Sequence, residues 1–125
     1  MIVKQWGTIS LSNYNAAKAV IDISARSCVS RAYFAAFSAL TGLFRHQQMV
    51  FVNGGDSPRH RDVTLLIGKA FSNGNLAKRL KRAVRALYKL RLMADYSAGQ
   101  ATNRQSALQA LRFSMLILRE CGVVV

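Results

Sequence analysis

The chain has 125 residues, half of them apolar, with 18 Lys and Arg against 5 Asp and Glu, a net charge of +13. That length fits one domain whose core needs no disulfide or metal, and the apolar content excludes gross disorder. No apolar run reaches the ~18 residues of a membrane span. The few cysteines and histidines make no credible zinc set, while so large a cationic excess points first to RNA or DNA phosphates, with an acidic protein partner, a membrane surface or a solubility device as the alternatives.

In chain order, Met1-Ile2-Val3-Lys4-Gln5-Trp6-Gly7 lacks the charged-then-apolar pattern of a signal peptide, so a cytoplasmic address is expected. Ser12 is the expected cap of a first helix to about Ile23, with Tyr14, Ala17, Val20 and Ile21 as its apolar stripe. Ser24 is the expected cap of a second, running to about Gln47. Val29, Ala32, Tyr33, Ala36, Phe37, Leu40, Leu43 and Phe44 step by three and four along its inward face.

Met49 to Pro58 holds Asn53-Gly54-Gly55-Asp56, a loop signal, and Val50-Phe51-Val52 is too brief to found a sheet. A third helix is expected from about His60 to Ser72, ended by Asn73-Gly74. A fourth follows from about Leu76 to Asp95, with Leu80, Val84, Leu87 and Leu90 toward the core. Ser97 to Thr102 reads as a loop. The last helix runs from about Asn103 to Glu120 and stops at Gly122. Cys28 and Cys121, on apolar helix patterns, read as small buried residues. The pattern is all-α: an up-down four-helix bundle with an additional short helix, in a single domain over residues 1–125.

The fourth helix carries Lys78, Arg79, Lys81, Arg82, Arg85 and Lys89 on an arc opposite Leu80, Val84 and Leu87. A charge-rich face is commonly just solvated. This one has no acidic residue from Val63 to Ala94, and exposed helices normally mix signs. Phosphates would reverse the cost of such a face, so it is the expected RNA-binding surface.

Near that helix's end, Arg91 and Asp95 are spaced to pair on one face. Arg31 is expected either to pair with Asp95, holding two helices in register, or to contact phosphate. Tyr33 continues an apolar stripe and belongs in the core, its hydroxyl reaching a polar neighbour. His60, between Arg59 and Arg61 at a helix start, is either a solvated capping residue or part of an anion-friendly spot. There is no glycine-rich phosphate loop, no carboxylate pair and no Ser/His/Asp set. So few acids leave little for a metal-dependent nuclease.

Three segments taken together carry a family resemblance. Ser30–Phe37 reads Ser-Arg-Ala-Tyr-Phe-Ala-Ala-Phe, Arg91–Tyr96 reads Arg-Leu-Met-Ala-Asp-Tyr, and Ser57-Pro58-Arg59-His60 lies between them. Their order and spacing, over roughly Ser12 to Glu120, resemble the HEPN family (higher eukaryotes and prokaryotes nucleotide-binding) in its small stand-alone branch. The resemblance implies a helical bundle and, in many members, a cofactor-free, metal-independent ribonuclease built on an Arg-x4-His motif. There the Arg stabilises the phosphate and the His moves a proton as a 2′-hydroxyl attacks. This chain departs from the motif, because Tyr96 stands at the position of the His. A Tyr of ordinary pKa near ~10 is a poor base but can donate a hydrogen bond.

The resemblance thus implies Arg91, Asp95 and Tyr96 as candidate catalytic residues, with His60 the best substitute for the missing motif His. It also implies RNA as substrate and a homodimer whose motif helices line one basic cleft. A toxin or phage-defence role would follow, with a co-encoded partner such as a nucleotidyltransferase-type antitoxin. Apolar Met49, Phe51 and Val123–Val125 add surface that favours the dimer. The alternative is a non-catalytic RNA- or protein-binding adaptor with a degenerate motif.

Overall fold

Ser24 starts the longest apolar pattern, and its side chain accepts a hydrogen bond from the Ser27 amide at 3.1 Å, capping helix α2 over Ala25–His46. In the computed structural model, which describes residues 2–52, 54–96 and 102–125, α2 is the helix around which the others gather. Its Ala32, Ala35, Ala36 and Ala39 are buried. Side chains that small let neighbouring backbones come close without losing rotamer entropy.

Helix α1, Lys4–Val20, uses that closeness. The Val3 amide donates to the Gly42 carbonyl at 3.2 Å and the Ser10 hydroxyl to the Ala35 carbonyl at 2.7 Å, so α1 and α2 run antiparallel. Gly42 is where they nearly touch: a Cβ there would lie 2.6 Å from both Ile2 Cγ1 and Trp6 Cβ. The helix begins eight residues before the expected cap at Ser12. Gly7, Thr8 and Ser10 are weak helix formers, and tertiary burial overrides them. Met1 lies outside the described residues.

Helix α3, Val63–Ala70, follows a 3₁₀ turn over His60–Asp62. It stops at Ala70, two residues short of the expected Ser72, and Asn73 starts the next helix: its Oδ1 accepts from the Asn75 and Leu76 amides at 3.0 and 3.1 Å. Helix α4, Gly74–Tyr96, turns Leu80, Ala83, Val84 and Leu87 inward, while Leu90 is half-buried at the core's edge. It runs antiparallel to α2, since the start of α2 meets the end of α4. Residues 97–101, on which most of the expected Ser97–Thr102 loop falls, lie outside the described residues, as does Asn53 in the earlier loop. Helix α5, Arg104–Glu120, is capped by Asn103, whose Oδ1 accepts from the Ser106 amide at 3.0 Å. It stops before Gly122, at φ 89, a left-handed backbone that suits Gly past a helix end.

The expected architecture holds: four long helices, one short, and no strand among the described residues. Phe44, Leu40, Ile67, Leu80, Leu87, Ile117 and Leu118 fill the core, each contributing about 1.5–3 kcal/mol by burial. Cys28 and Cys121 are buried as expected. No helix among the described residues is long and apolar enough to cross a membrane.

Candidate functional site

The start of α2 and the end of α4 bring two short series of side chains face to face. On α2, Arg26, Ser30 and Phe34 recur every fourth residue, with Tyr33 beside them; on α4, Tyr88, Arg91 and Asp95 recur every three or four. Arg26 Nη1 donates to the Ala94 carbonyl, in the last turn of α4, at 2.6 Å. Ser30 Oγ donates to Asp95 Oδ1 at 2.5 Å, and Arg91 Nε donates to Asp95 Oδ2 at 3.1 Å.

The Arg91–Asp95 pair is therefore present as expected, with side chains 22 % and 28 % exposed. The expected pairing of Arg31 with Asp95 is not. Ser30, one residue earlier and about 100° around the helix, is the α2 partner, which leaves Arg31 exposed on the groove wall beyond.

Arg91 lies against an aromatic floor. Its guanidinium carbon is 4.9 Å from the Tyr33 ring centre and 5.0 Å from that of Phe34, a cation–π arrangement that favours the charge without water. Tyr33 is buried, as expected, and its hydroxyl is 2.7 Å from His60 Nδ1. Burial pushes the Tyr33 phenol up to about 12, with Arg91 partly opposing that rise. The phenol thus stays protonated over any physiological range.

His60 is stacked on Tyr88, ring centres 3.3 Å apart and planes 18° from parallel. Its own turn is braced by Arg59 Nε on Asp62 Oδ2 at 2.9 Å. Half-burial, followed by the positive field of Arg91, lowers the His60 pKa below its ordinary value. At neutral pH the imidazole is uncharged. If Nδ1–H donates to the Tyr33 hydroxyl, Nε2 keeps a lone pair that can accept a proton.

The structure thus brings Arg91 and His60 together on Tyr33, with Asp95 paired to Arg91 and Tyr88 stacked on His60. It does not bring Tyr96 in: that ring is 73 % exposed at the last turn of α4. Lys78, Arg79, Arg82, Arg85 and Lys89 are exposed on the outer arc of α4, turned away from Arg91. Lys81 differs. It is half-buried and leans on α3, where a Cβ at Gly68 would lie 3.0 Å from its Nζ. Among the described residues no three His, Cys, Asp or Glu side chains gather to hold a metal ion.

Sequence reasoning did not single out Tyr88 or Arg26, and it names Ser30 and Phe34 only as part of the Ser30–Phe37 motif. For Tyr88 a signal existed: it precedes Arg91 by three residues and so shares its edge of the helix. The other three lie on the turns of α2 that flank Tyr33.

The family model for the HEPN domain matches residues 3–124. The chain belongs to the HEPN family. No curated protein and no solved structure matches it.

Proposed function

We propose that this HEPN protein binds RNA through the outer arc of α4 and cleaves it without a metal ion at the Arg91–His60 cluster. The observation that carries this reading is that both groups meet on one side chain. The Arg91 guanidinium lies over the Tyr33 ring and the His60 imidazole lies against its hydroxyl. An arginine and an uncharged histidine held on one aromatic side chain suit phosphate-ester cleavage by a neighbouring 2′-hydroxyl. His60 takes the 2′-hydroxyl proton, the 2′-oxygen bonds to phosphorus, and the bond to the 5′-oxygen breaks, that oxygen taking a proton from solvent. Arg91 stabilises the charge on the phosphate oxygens. The products are a 2′,3′-cyclic phosphate and a 5′-hydroxyl.

In this reading His60 does the work that Tyr96 is chemically unsuited to do. Two copies pair with their Arg91 side chains facing one cleft, the exposed rings of Phe34 and Tyr96 lying at its edge. The protein acts in the cytoplasm as a toxin or phage-defence effector, held in check by a co-encoded partner such as a nucleotidyltransferase-type antitoxin.

Labelled RNA incubated with the protein and EDTA tests the reaction. Arg91→Ala should slow cleavage by about 10²- to 10³-fold, the loss seen when one oxyanion donor is removed, and change binding far less. His60→Ala should also slow it. RNA that is bound but left intact by the native protein favours the second reading, a non-catalytic adaptor. One observation supports that alternative: Asp95 already neutralises Arg91.

A further inference from the structure

Beside Arg91 the surface opens into a groove of about 400 Å³ between α1, the start of α2 and the end of α4. Phe34 forms part of its wall and is 43 % exposed, although Arg91 covers one side of the ring. Asp95, Asn13 and Ser30 bring polar groups to it, and Arg26 and Arg31 bring positive charge. Two of these residues, Phe34 and Asp95, touch Arg91 directly. Whatever fills the groove therefore lies one group away from the phosphate that Arg91 would hold.

The mixture of chemistries narrows the occupant. An exposed aromatic ring offers a stacking platform, which suits an unpaired base and not a bare phosphate. A carboxylate accepts hydrogen bonds and never donates them, and each of its oxygens has a second lone pair beyond the bonds from Ser30 and Arg91. It would repel a phosphate and attract base N–H groups. Guanine is the base that presents two adjacent N–H donors on its pairing edge. Asn13 uses its amide N–H₂ on the Ile9 carbonyl at 3.1 Å, which leaves its carbonyl oxygen as another acceptor.

We propose that this groove is a base-selecting subsite that takes an unpaired guanine next to the phosphate at Arg91, its ring on Phe34 and its N–H edge on Asp95. Arg26 and Arg31 then face the sugar-phosphate backbone of that nucleotide. The proposal rests on the RNA reading above.

Fluorescence anisotropy of the full chain with 2′-O-methyl oligouridines, which cannot be cleaved, tests it. Four oligomers carry G, A, C or U at one central position. The G oligomer should bind about tenfold more tightly, as expected of a bidentate base contact. Asp95→Asn should abolish that preference, read as the ratio of G-oligomer to all-U affinity within the variant, a ratio that a general change at Arg91 does not move. Phe34→Ala should weaken all four, because stacking tolerates any base. Equal affinity for all four oligomers overturns the subsite and leaves RNA binding intact. So does a guanine preference that survives both substitutions. Failure of every oligomer to bind overturns the RNA reading itself, and the subsite with it.

Discussion

His60 shows at the residue scale how local surroundings set chemistry. Its folded-state pKa is lowered below 6.5 by half-burial and by Arg91. As pH falls through the ordinary histidine range, the unfolded chain takes up this proton before the folded one. The stability contributed by neutral His60 is thus present above that range and lost below it. NMR titration should place the His60 midpoint below the ordinary histidine value of about 6.5, and cleavage should decline only under that pH. A His60 midpoint above about 6.5 would contradict the cluster. The geometry that produces this shift was not readable from the chain. His60 and Arg91 lie in separate elements, and neither periodicity nor propensity reports that Tyr33 reaches one while supporting the other. The Arg91–Asp95 pair was readable, because helix geometry alone fixes i,i+4 neighbours. The Arg31–Asp95 pairing failed because which face of α2 meets α4 is decided by packing, and a one-residue error rotates the side chain by about 100°.

Elements were legible in proportion to their local signals. Helices α2 and α5 carry side-chain caps at Ser24 and Asn103, and their starts fall where those caps predict. Helix α4 begins just after Asn73, which sequence reasoning took only as the end of α3. Helix α1 has no side-chain cap at its start, and its first turns depend on docking at Gly42. Gly42→Ala should therefore cost about 1–3 kcal/mol, the usual range for overpacking a tight contact, read as a lower midpoint in urea unfolding. An unchanged midpoint would show that α1 can lift away freely. The outer arc of α4 makes a separate prediction. RNA affinity should fall with salt, log K dropping by about 0.7 per decade for each single-strand phosphate contacted. Replacing Lys78, Arg79, Arg82 and Arg85 by Ala should make that slope shallower by up to about 3. Lys81 is left in place because it packs on α3 at Gly68. An unaltered slope would exclude the arc as the phosphate-binding face.

For the whole molecule, the net charge of +13 opposes self-association, while exposed apolar groups favour it. The structure redistributes the expected apolar surplus. Phe51 and Val123 are buried, whereas Val50, Val52 and Val124 are more than three-quarters exposed. Phe34, beside Arg91, is exposed, and Met93 and Tyr96 are exposed on other faces of the last turns of α4. Light scattering at micromolar concentration should return twice the chain mass. A monomeric mass for the native chain would remove the shared cleft.

Cys28, near the start of α2, and Cys121, just past the end of α5, are both shielded completely from solvent. Burial pushes the Cys28 thiol up to about 11 and raises that of Cys121 as well. Since only the exposed thiolate reacts, an alkylating reagent sees neither sulfur until the bundle opens. The protein thus carries its own clock for opening, with one hand on the central helix and one at the carboxyl end. Equal labelling rates mean that the molecule opens as one unit, and a faster Cys121 means that α5 peels away first.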